Sequence, residues 1–243
     1  IDCRKRLGIP EDSFIVFNGN RNQARKRIDI TIDAFAQFAV DKPNARLYLH
    51  MGMKDQGWDV MNLFGRQMRR YGIDPTNRIV MTSNDVKPPS VPVEVLNVIY
   101  NACDVGVNTC KGEGHGLVNH EHAACRIAQV VPNHTACKEI FEGAGLLIEN
   151  GFIDVDMNYN RDMPIPDTQS LVDHLNVLYE DDVYRASVAD ACYKRATDPK
   201  YQWDNVAQQF ASEFDHLLTP AEELEVPVIK RPKRRKKVQP VTA

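Results

Sequence analysis

The stretch FIVFNGNRNQARKRIDITIDAFAQFAV, residues 14–40, passes from one hydrophobic period to another and decides the fold. It begins with the continuous apolar run 14–17, which is typical of a buried strand. After a polar turn, apolar side chains return at helical spacing, at Ile28, Ile32, Phe35 and Ala39. The stretch therefore predicts a strand that leads through a basic turn into a helix.

The same alternation continues along the chain. Apolar runs predict six strands, at 14–18, 46–51, 78–82, 103–108, 128–131 and 144–148. Helical patterns lie between them, near 24–40, 58–72, 91–101, 116–126 and 135–142, and three more follow near 168–180, 182–197 and 203–218. Strands alternating with helices indicate an α/β fold, a Rossmann-like doubly wound parallel sheet with helices on both faces.

Length and composition agree with one substantial domain. The chain has 243 residues, of which 43% are hydrophobic, enough to bury a large core. We expect this domain to span residues 1–218. No apolar run approaches the length that crosses a bilayer, and no signal peptide is recognisable. The six cysteines form no C-x-x-C pair, which favours reduced buried thiols and a cytoplasmic location.

Residues 219–243 form an acidic and then basic tail that we expect to be disordered. Seven positive charges lie between Lys230 and Lys237, and subtracting them from the chain's net charge of −3 leaves −10 for the rest. A solvated tail, contact with an anionic membrane surface, a nuclear-type address and nucleic-acid contact all remain open. Membrane contact would make the protein peripheral at that surface.

A glycine-rich turn, Lys111-Gly-Glu-Gly-His-Gly-Leu-Val-Asn-His-Glu121, follows the fourth predicted strand and opens a helix. Gly114 and Gly116 let the backbone approach a bound group, and the start of the following helix suits an anion. Two carboxylates eight positions apart, Glu113 and Glu121, can accept hydrogen bonds from hydroxyls on either side of that anion. A nucleotide-sugar has this pattern of groups, although an ordinary loop between strand and helix is the alternative.

Four basic residues follow the first predicted strand within seven positions: Arg21, Arg25, Lys26 and Arg27. Cations at the start of a helix are disfavoured by the helix dipole unless an anion joins them. The cluster therefore predicts a diphosphate clamp with Arg21 as a fork and Lys26 as a point charge, or else a solvated basic helix start. Parallel strands present their carboxyl ends at one edge, so Arg21 and Glu113 are expected to share a site.

Other chemistries fit the sequence less well. His120 and His122 are two positions apart and point to different helix faces, so we predict no metal site. Asp154-Val-Asp156 has the D-x-D form of some metal-dependent enzymes but lies far along the chain from the basic cluster. A dehydrogenase is disfavoured because no G-x-G-x-x-G follows the first strand.

Both clusters together resemble the C-terminal half of family-4 retaining glycosyltransferases, which have the two-domain GT-B architecture. The matching motifs are Gly19-Asn-Arg21 with Lys26 five residues later, the E-x7-E spacing from Glu113 to Glu121, Ala124-Cys125, and Gln129-Val-Val-Pro132. The similarity covers residues 1–218. It implies a metal-independent hexosyltransferase with no cofactor, which uses a UDP- or GDP-type sugar donor and retains the anomeric configuration.

The resemblance also implies roles for individual residues. Arg21, Lys26 and Glu113 would be catalytic, with Glu113 on the hexose hydroxyls and Glu121 on the ribose. The base would lie near Thr82 and Ser83. The other donor-binding residues would be Gly19, Gly114, His115, Gly116, Leu117 and Val118. His115 stands where the family usually has Phe, which leaves the identity of the sugar open.

The resemblance further implies partners. The acceptor would be a glycan, a lipid-linked sugar or a protein, and we expect an upstream Rossmann domain that is absent from this chain. The chain would then be the nucleotide-sugar half of a larger protein, or a fragment of one. The alternative is a glycosyltransferase-like binding or structural module that acts through its basic tail.

Overall fold

The structure is a computed structural model, and it describes residues 2–156 and 160–218. The chain divides into two compact units, residues 1–198 and residues 199–243. The predicted domain boundary at residue 218 stays a prediction. The tail predicted at 219–243, with its basic run Lys230–Lys237, lies outside the described residues.

A six-stranded parallel sheet forms the centre of the first unit. Its strands are β1 Phe14–Asn18, β2 Ala45–Leu49, β3 Ile79–Met81, β4 Val105–Val107, β5 Ala128–Pro132 and β6 Leu146–Ile148. Their order in the sheet is β3-β2-β1-β4-β5-β6. The chain therefore builds the sheet outward from β1 in one direction and then from β4 in the other, as in the dinucleotide-binding fold.

Helices connect the strands. They are α1 Cys3–Arg6, α2 Ile28–Phe38, α3 Val60–Arg70, α4 Val93–Ala102, α5 Leu117–Ala124, α6 Thr135–Phe141, α7 Thr168–Glu180 and α8 Asp182–Ala196. The 3-10 turn Ala24–Lys26 precedes α2, and Arg27 between them has a positive φ of 49°. The helix predicted near 24–40 is therefore a short turn followed by a separate helix.

Hydrophobic cores lie on both faces of the sheet, because side chains alternate along each strand. Phe14 and Val16 of β1 belong to the larger core, which includes residues of α2, α3, α7 and α8. Ile15 and Phe17 belong to the smaller core, which includes Ile99 of α4. The predicted doubly wound α/β fold is confirmed.

An antiparallel hairpin follows the sheet and was not predicted. Its strands are β7 Asn150–Asp156 and β8 Arg161–Pro166, and Asp154 pairs with Met163 in their register. Phe152 and Ile153 of β7 are largely exposed to solvent, so the hairpin stands outside the main cores.

The described part of the second unit is mostly one helix. A 3-10 turn, Pro199–Tyr201, leads into α9, Trp203–Leu218, and Trp203, Phe210 and Phe214 of this helix are exposed. No helix within 2–156 and 160–218 combines the length and the apolar character needed to cross a membrane. All six cysteines are free thiols.

Candidate functional site

The crevice at the carboxyl ends of β1 and β4 is where the strand order reverses. The loop after β1, residues 19–27, and the loop after β4, residues 108–116, meet there. The amide of Lys111 donates a hydrogen bond of 2.8 Å to the carbonyl of Arg25. Ligands of open α/β sheets bind at such a point, so the topology brings both predicted clusters to one edge.

Lys26 and Glu113 form an ion pair across this crevice, and each side chain is only 9% exposed. The Lys26 Nζ also donates a hydrogen bond of 2.9 Å to Asn20 Oδ1. The other carboxylate oxygen of Glu113 lies 3.6 Å from Nη1 of Arg25. An ammonium has three N–H donors. Among the described residues it has two acceptors here, which leaves one N–H for a ligand oxygen.

A chain of buried hydrogen bonds lies beneath this pair. Asn18 at the end of β1 donates to the Thr31 hydroxyl at 2.9 Å, and the hydroxyls of Thr31 and Thr109 are 2.8 Å apart. Thr109 donates to the carbonyl of Arg27 at 2.8 Å. Because Thr109 uses its proton there, the Thr31 hydroxyl must donate to Thr109. These bonds fix the basic loop against the glycine-rich loop.

Two glycines make the close approach of these loops possible. A Cβ on Gly19 would lie 2.7 Å from the Phe17 ring and 2.9 Å from Val118, so only glycine fits between them. Gly116 has φ of 81° and precedes the first residue of α5. A pocket of about 260 Å³ lies beside Gly116 and is lined by Asn20, Lys26, Glu113, Gly116, Leu117 and Val118. Gly114 is exposed on the loop before it.

Glu121 lies outside this pocket, in a cleft between α4 and α5. Its Oε2 accepts a hydrogen bond of 3.0 Å from the hydroxyl of Tyr100. Burial and the neighbouring carboxylate raise the pKa of Tyr100, which keeps the phenol a donor. The cleft is lined by Val93, Leu96, Asn97, Tyr100, Glu121, Ala124 and Cys125. The two glutamates thus face different cavities.

Arg21 is held by a carboxylate that the sequence did not identify. Its guanidinium bonds Asp55 through two nitrogens, at 2.6 Å and 3.1 Å. The bond to Arg21 lowers the pKa of Asp55, and the bond to Asp55 raises the pKa of Arg21. Arg21 does not line the pocket beside Lys26. Asp55 engages two of the five N–H groups of Arg21, and the predicted role of Arg21 as a diphosphate fork stays a prediction.

Thr82 and Ser83 follow β3, which is separated from β4 in the sheet by β2 and β1. The Thr82 hydroxyl donates to Tyr48 Oη at 3.2 Å and lies 2.8 Å from His50 Nδ1. The Ser83 hydroxyl donates to Asp85 at 2.9 Å. Both lie at the same edge of the sheet as the crevice.

The three histidines near the glycine-rich loop differ in their surroundings. The rings of His115 and His120 are 4.9 Å apart. His122 is fully buried, and its Nε2 lies 3.2 Å from the carbonyl of Tyr100, so Nε2 carries the proton. Burial lowers the pKa of His122 to about 3. Within the residues that the structure describes, no three His, Cys, Asp or Glu side chains gather as a metal site would require.

Several residues of the site were missed by sequence reasoning. Asn20 forms an Asx-type turn with Asn18, whose Oδ1 accepts from the Asn20 amide at 2.9 Å, and an Asn-Gly-Asn sequence after a strand is a signal for it. Tyr100 and Asp55 carry no local signal, because their partners Glu121 and Arg21 lie far along the chain.

Comparison with known proteins supplies relatives of two kinds. No family model matches the chain. A D-inositol 3-phosphate glycosyltransferase of Geodermatophilus obscurus is 30% identical over 127 residues, which are 51% of this chain and 26% of that protein. The matched part is thus about a quarter of the curated relative.

Solved structures match most of the chain. Sucrose-phosphate synthase of Thermosynechococcus elongatus is 22% identical with a TM-score of 0.67, over 89% of this chain and 48% of that one. HepE of Anabaena, in complex with UDP and glucose, is 23% identical with a TM-score of 0.64, over 88% of this chain and 51% of that one. The C-terminal domain of a group 1 glycosyl transferase, LpcC of Francisella tularensis, is 18% identical with a TM-score of 0.62, over 81% of this chain and 90% of that one.

These matches confirm the predicted resemblance to the C-terminal half of GT-B glycosyltransferases. The chain spans about half the length of the first two solved structures and nearly all of the isolated C-terminal domain. Its fold is therefore that of the Rossmann-like domain of such enzymes.

Proposed function

We propose that this chain is the donor-binding half of a glycosyltransferase and binds a nucleoside diphosphate sugar at the crevice between β1 and β4. The observation that carries the proposal is the Lys26–Glu113 ion pair, since it places a cation and a hydroxyl acceptor side by side at the switch point of the sheet. The Geodermatophilus relative, a glycosyltransferase, supports this reading.

The diphosphate would lie in the pocket between Gly19 and the start of α5. Lys26 offers its remaining N–H, and the amides near Gly116, Leu117 and Val118 belong to the first turn of the helix, where the dipole favours an anion. Arg21 would join them after leaving Asp55. Charge that grows on the diphosphate as the glycosidic bond breaks is then met by donors already in position.

The sugar and the ribose would occupy opposite sides of the diphosphate. Glu113 would accept from hexose hydroxyls, and Gly114 and His115 would lie beside the sugar. Glu121, oriented by Tyr100, would accept from the ribose hydroxyls. The base would lie near Thr82 and Ser83. HepE was solved with UDP and with UDP-glucose, which supports a UDP-type donor here, and a GDP-type donor remains the alternative.

The proposed reaction transfers a hexose to an acceptor hydroxyl. The bond from the anomeric carbon to the diphosphate oxygen breaks with its electrons on the diphosphate. A new bond forms from that carbon to the acceptor oxygen, whose proton passes to an oxygen of the departing diphosphate. Retention of configuration is proposed from the resemblance. Metal independence is proposed because Lys26 and the helix start supply positive charge themselves, and nucleotide binding should then persist in EDTA.

The acceptor would be a glycan, a lipid-linked sugar or a protein, held together with an upstream Rossmann domain. Cytoplasmic location and contact of Lys230–Lys237 with an anionic membrane surface are proposed from the sequence alone.

Calorimetric titration of the intact 243-residue chain with UDP and with GDP tests the proposal. One nucleotide should bind, and Lys26→Met should weaken that binding about tenfold or more, because a charge-assisted contact is lost. Lys42→Met is the matched control, since Lys42 is also 9% exposed and paired with a carboxylate, that of Asp41, on a different loop. Absence of binding, or equal weakening in both variants, would contradict the proposal.

A further inference from the structure

A second pocket lies beyond Glu113, between the glycine-rich loop and the β7–β8 hairpin. Its volume is about 390 Å³. Its polar lining comprises Arg25, Lys111, Glu113, Thr135, Arg161 and Asp162. Glu113 lines this pocket and also the pocket beside Lys26, so one carboxylate joins the two cavities. A group attached to a sugar at Glu113 can therefore reach the second pocket.

Contacts tie the hairpin to the glycine-rich loop. The Lys111 ammonium contacts the Asp154 carboxylate of β7, and that contact lowers the pKa of Asp154. A Cβ on Gly112 would be 3.9 Å from the Met163 side chain of β8, which is ordinary van der Waals contact. The hairpin is thus a wall of the pocket.

Three cationic side chains from three separate elements converge on the pocket. Arg25 comes from the turn after β1, Lys111 from the loop after β4, and Arg161 from β8. Glu113 contacts Lys26, and Asp154 contacts Lys111, so Lys111 already has a carboxylate partner. Arg25 shares the Glu113 carboxylate with Lys26, which lies closer to it. A hydrogen bond of 3.0 Å from Nη1 of Arg25 to the carbonyl of Gly112 orients the guanidinium.

Thr135 at the pocket wall has an unfavourable backbone conformation. Its φ is 51°, a region that a β-branched residue rarely adopts. Its hydroxyl accepts a hydrogen bond of 3.2 Å from the amide of Glu113. Such strain concentrates at ligand sites, where the surrounding structure holds it. This observation is independent of the charges and points to the same pocket.

We propose that this hairpin-walled pocket binds an anionic group, a carboxylate or a phosphate, of a substrate bound at Glu113. The inference rests on the proposed function, because it needs a sugar at Glu113. A guanidinium fork matches the two oxygens of a carboxylate or phosphate, and Arg25 is half-exposed and directed to the pocket. The anion can be carried by the transferred sugar, as in a uronic acid, or by the acceptor, as in a sugar phosphate.

A change at Asp162 should affect an anionic ligand and a neutral ligand in opposite ways. It is exposed at the pocket rim. An anion is repelled by this carboxylate, whereas a neutral sugar ring would use it to accept hydroxyl hydrogen bonds. Asp162→Asn should therefore tighten binding of an anionic substrate and loosen that of a neutral one.

The test is calorimetry on the intact chain with matched ligands. In the donor arm, UDP-glucose is compared with UDP-glucuronate, and GDP-mannose with GDP-mannuronate. In the acceptor arm, glucose 6-phosphate is compared with glucose in the presence of the bound nucleoside diphosphate. The anionic member of at least one pair should bind about tenfold more tightly.

Variants assign the effect to the pocket. Arg25→Gln or Arg161→Gln should abolish the preference for the anionic member, and Arg161→Gln, which lies outside the proposed diphosphate site, should leave binding of UDP or GDP alone as before. Arg66→Gln, a surface change near Trp58 and away from this pocket, is the control that should change nothing. Thermal unfolding of each variant at the wild-type temperature shows that the fold is intact.

The outcomes are distinct. A preference in the donor arm that Arg25→Gln removes places the anion on the transferred sugar, and the same result in the acceptor arm places it on the acceptor. No preference in either arm, or weaker binding of the anionic member in Asp162→Asn, overturns the inference while nucleotide binding stands. Failure of both nucleotides to bind overturns the proposed function and the inference with it.

Discussion

Lys26 and Glu113 form a nearly buried ion pair that joins the loop after β1 to the loop after β4, across 87 positions of the chain. Each partner also has a second contact, Lys26 to Asn20 and Glu113 towards Arg25. The pair therefore holds the two halves of the sheet at their meeting point and belongs to the proposed donor site as well. Its loss affects stability and binding together.

Removing one partner of this pair should destabilise the fold more than removing both. Glu113→Leu alone leaves a buried ammonium without its carboxylate and should lower the free energy of unfolding by about 3 kcal/mol. The double change Lys26→Met with Glu113→Leu should recover part of that loss. Urea denaturation of the single and double variants measures the coupling. Additive losses would mean that the two charges do not stabilise each other.

The two glutamates should affect different ligands. Glu121→Gln should weaken binding of the free nucleoside diphosphate and of the nucleotide-sugar alike, because both carry the ribose. Glu113→Gln should weaken mainly the nucleotide-sugar, because only that ligand offers hexose hydroxyls. Calorimetric titration of each variant with both ligands makes the comparison. Equal losses in all four titrations would contradict these roles.

Tyr100 should act on the nucleotide only through Glu121. Tyr100→Phe removes the hydrogen bond to Oε2 and should weaken nucleotide binding by about 1 kcal/mol. The same change made in a Glu121→Gln background should cost much less. A thermodynamic cycle over the four proteins tests this coupling, and a full loss in the double variant would show that Tyr100 acts independently.

Asp55 should compete with the diphosphate for Arg21. If Arg21 moves from Asp55 to the ligand, then Arg21→Ala weakens nucleotide diphosphate binding about tenfold. Asp55→Asn should leave binding unchanged or tighten it, because the guanidinium no longer has to leave a charged partner. Nucleotide affinity that is indifferent to Arg21→Ala would restrict the clamp to Lys26 and the start of α5.

His122 should make stability fall in mild acid. Burial lowers the pKa of His122 in the folded state to about 3, so its imidazole stays neutral in the native protein at mildly acidic pH. In the unfolded chain the same imidazole takes up a proton below its ordinary pKa of 6.5. The contribution of His122 to the free energy of unfolding is complete above pH 6.5 and declines as the pH falls towards 3. Between pH 7 and pH 5 it should fall by about 2 kcal/mol.

The comparison with His122→Gln isolates this group from His50, His120 and His134, whose pKa values burial also lowers. Urea titrations of both proteins at a series of pH values give the slope of the free energy of unfolding against pH for each. Parallel slopes would mean that His122 becomes protonated in the native state.

The sheet and its helices could be predicted because burial imposes a strong period on the sequence. All six predicted parallel strands are present, and β1 matches its predicted bounds. The meeting of the basic loop and the glycine-rich loop at one edge also followed from the order of the elements, but the predicted neighbours were Arg21 and Glu113, whereas the ion pair present is Lys26 with Glu113. Loops at the carboxyl ends of neighbouring parallel strands lie close together, so the juxtaposition of the two loops needs no side-chain detail.

What could not be predicted depends on long-range side-chain partners. Arg21 has the composition of a phosphate ligand, yet its orientation is set by Asp55, which lies in another loop. The hairpin was missed because its exposed β7 mixes apolar and acidic side chains without a core to pack on, and Asp154 looked remote from the site in sequence. Its contact with Lys111 depends on how the hairpin folds back.

The parallel pairing of β1 with β4 also determines when the crevice can form. Two strands and three α-helices separate them along the chain, and Val16 pairs with Val105 only once those have folded out of the way. Pairing of such distant segments loses loop-closure entropy before favourable contacts form, which makes folding slow. The ion pair and the hydrogen bonds below it cannot assemble before that step. Acquisition of nucleotide affinity during refolding should therefore be a late event that keeps time with the completion of the central sheet.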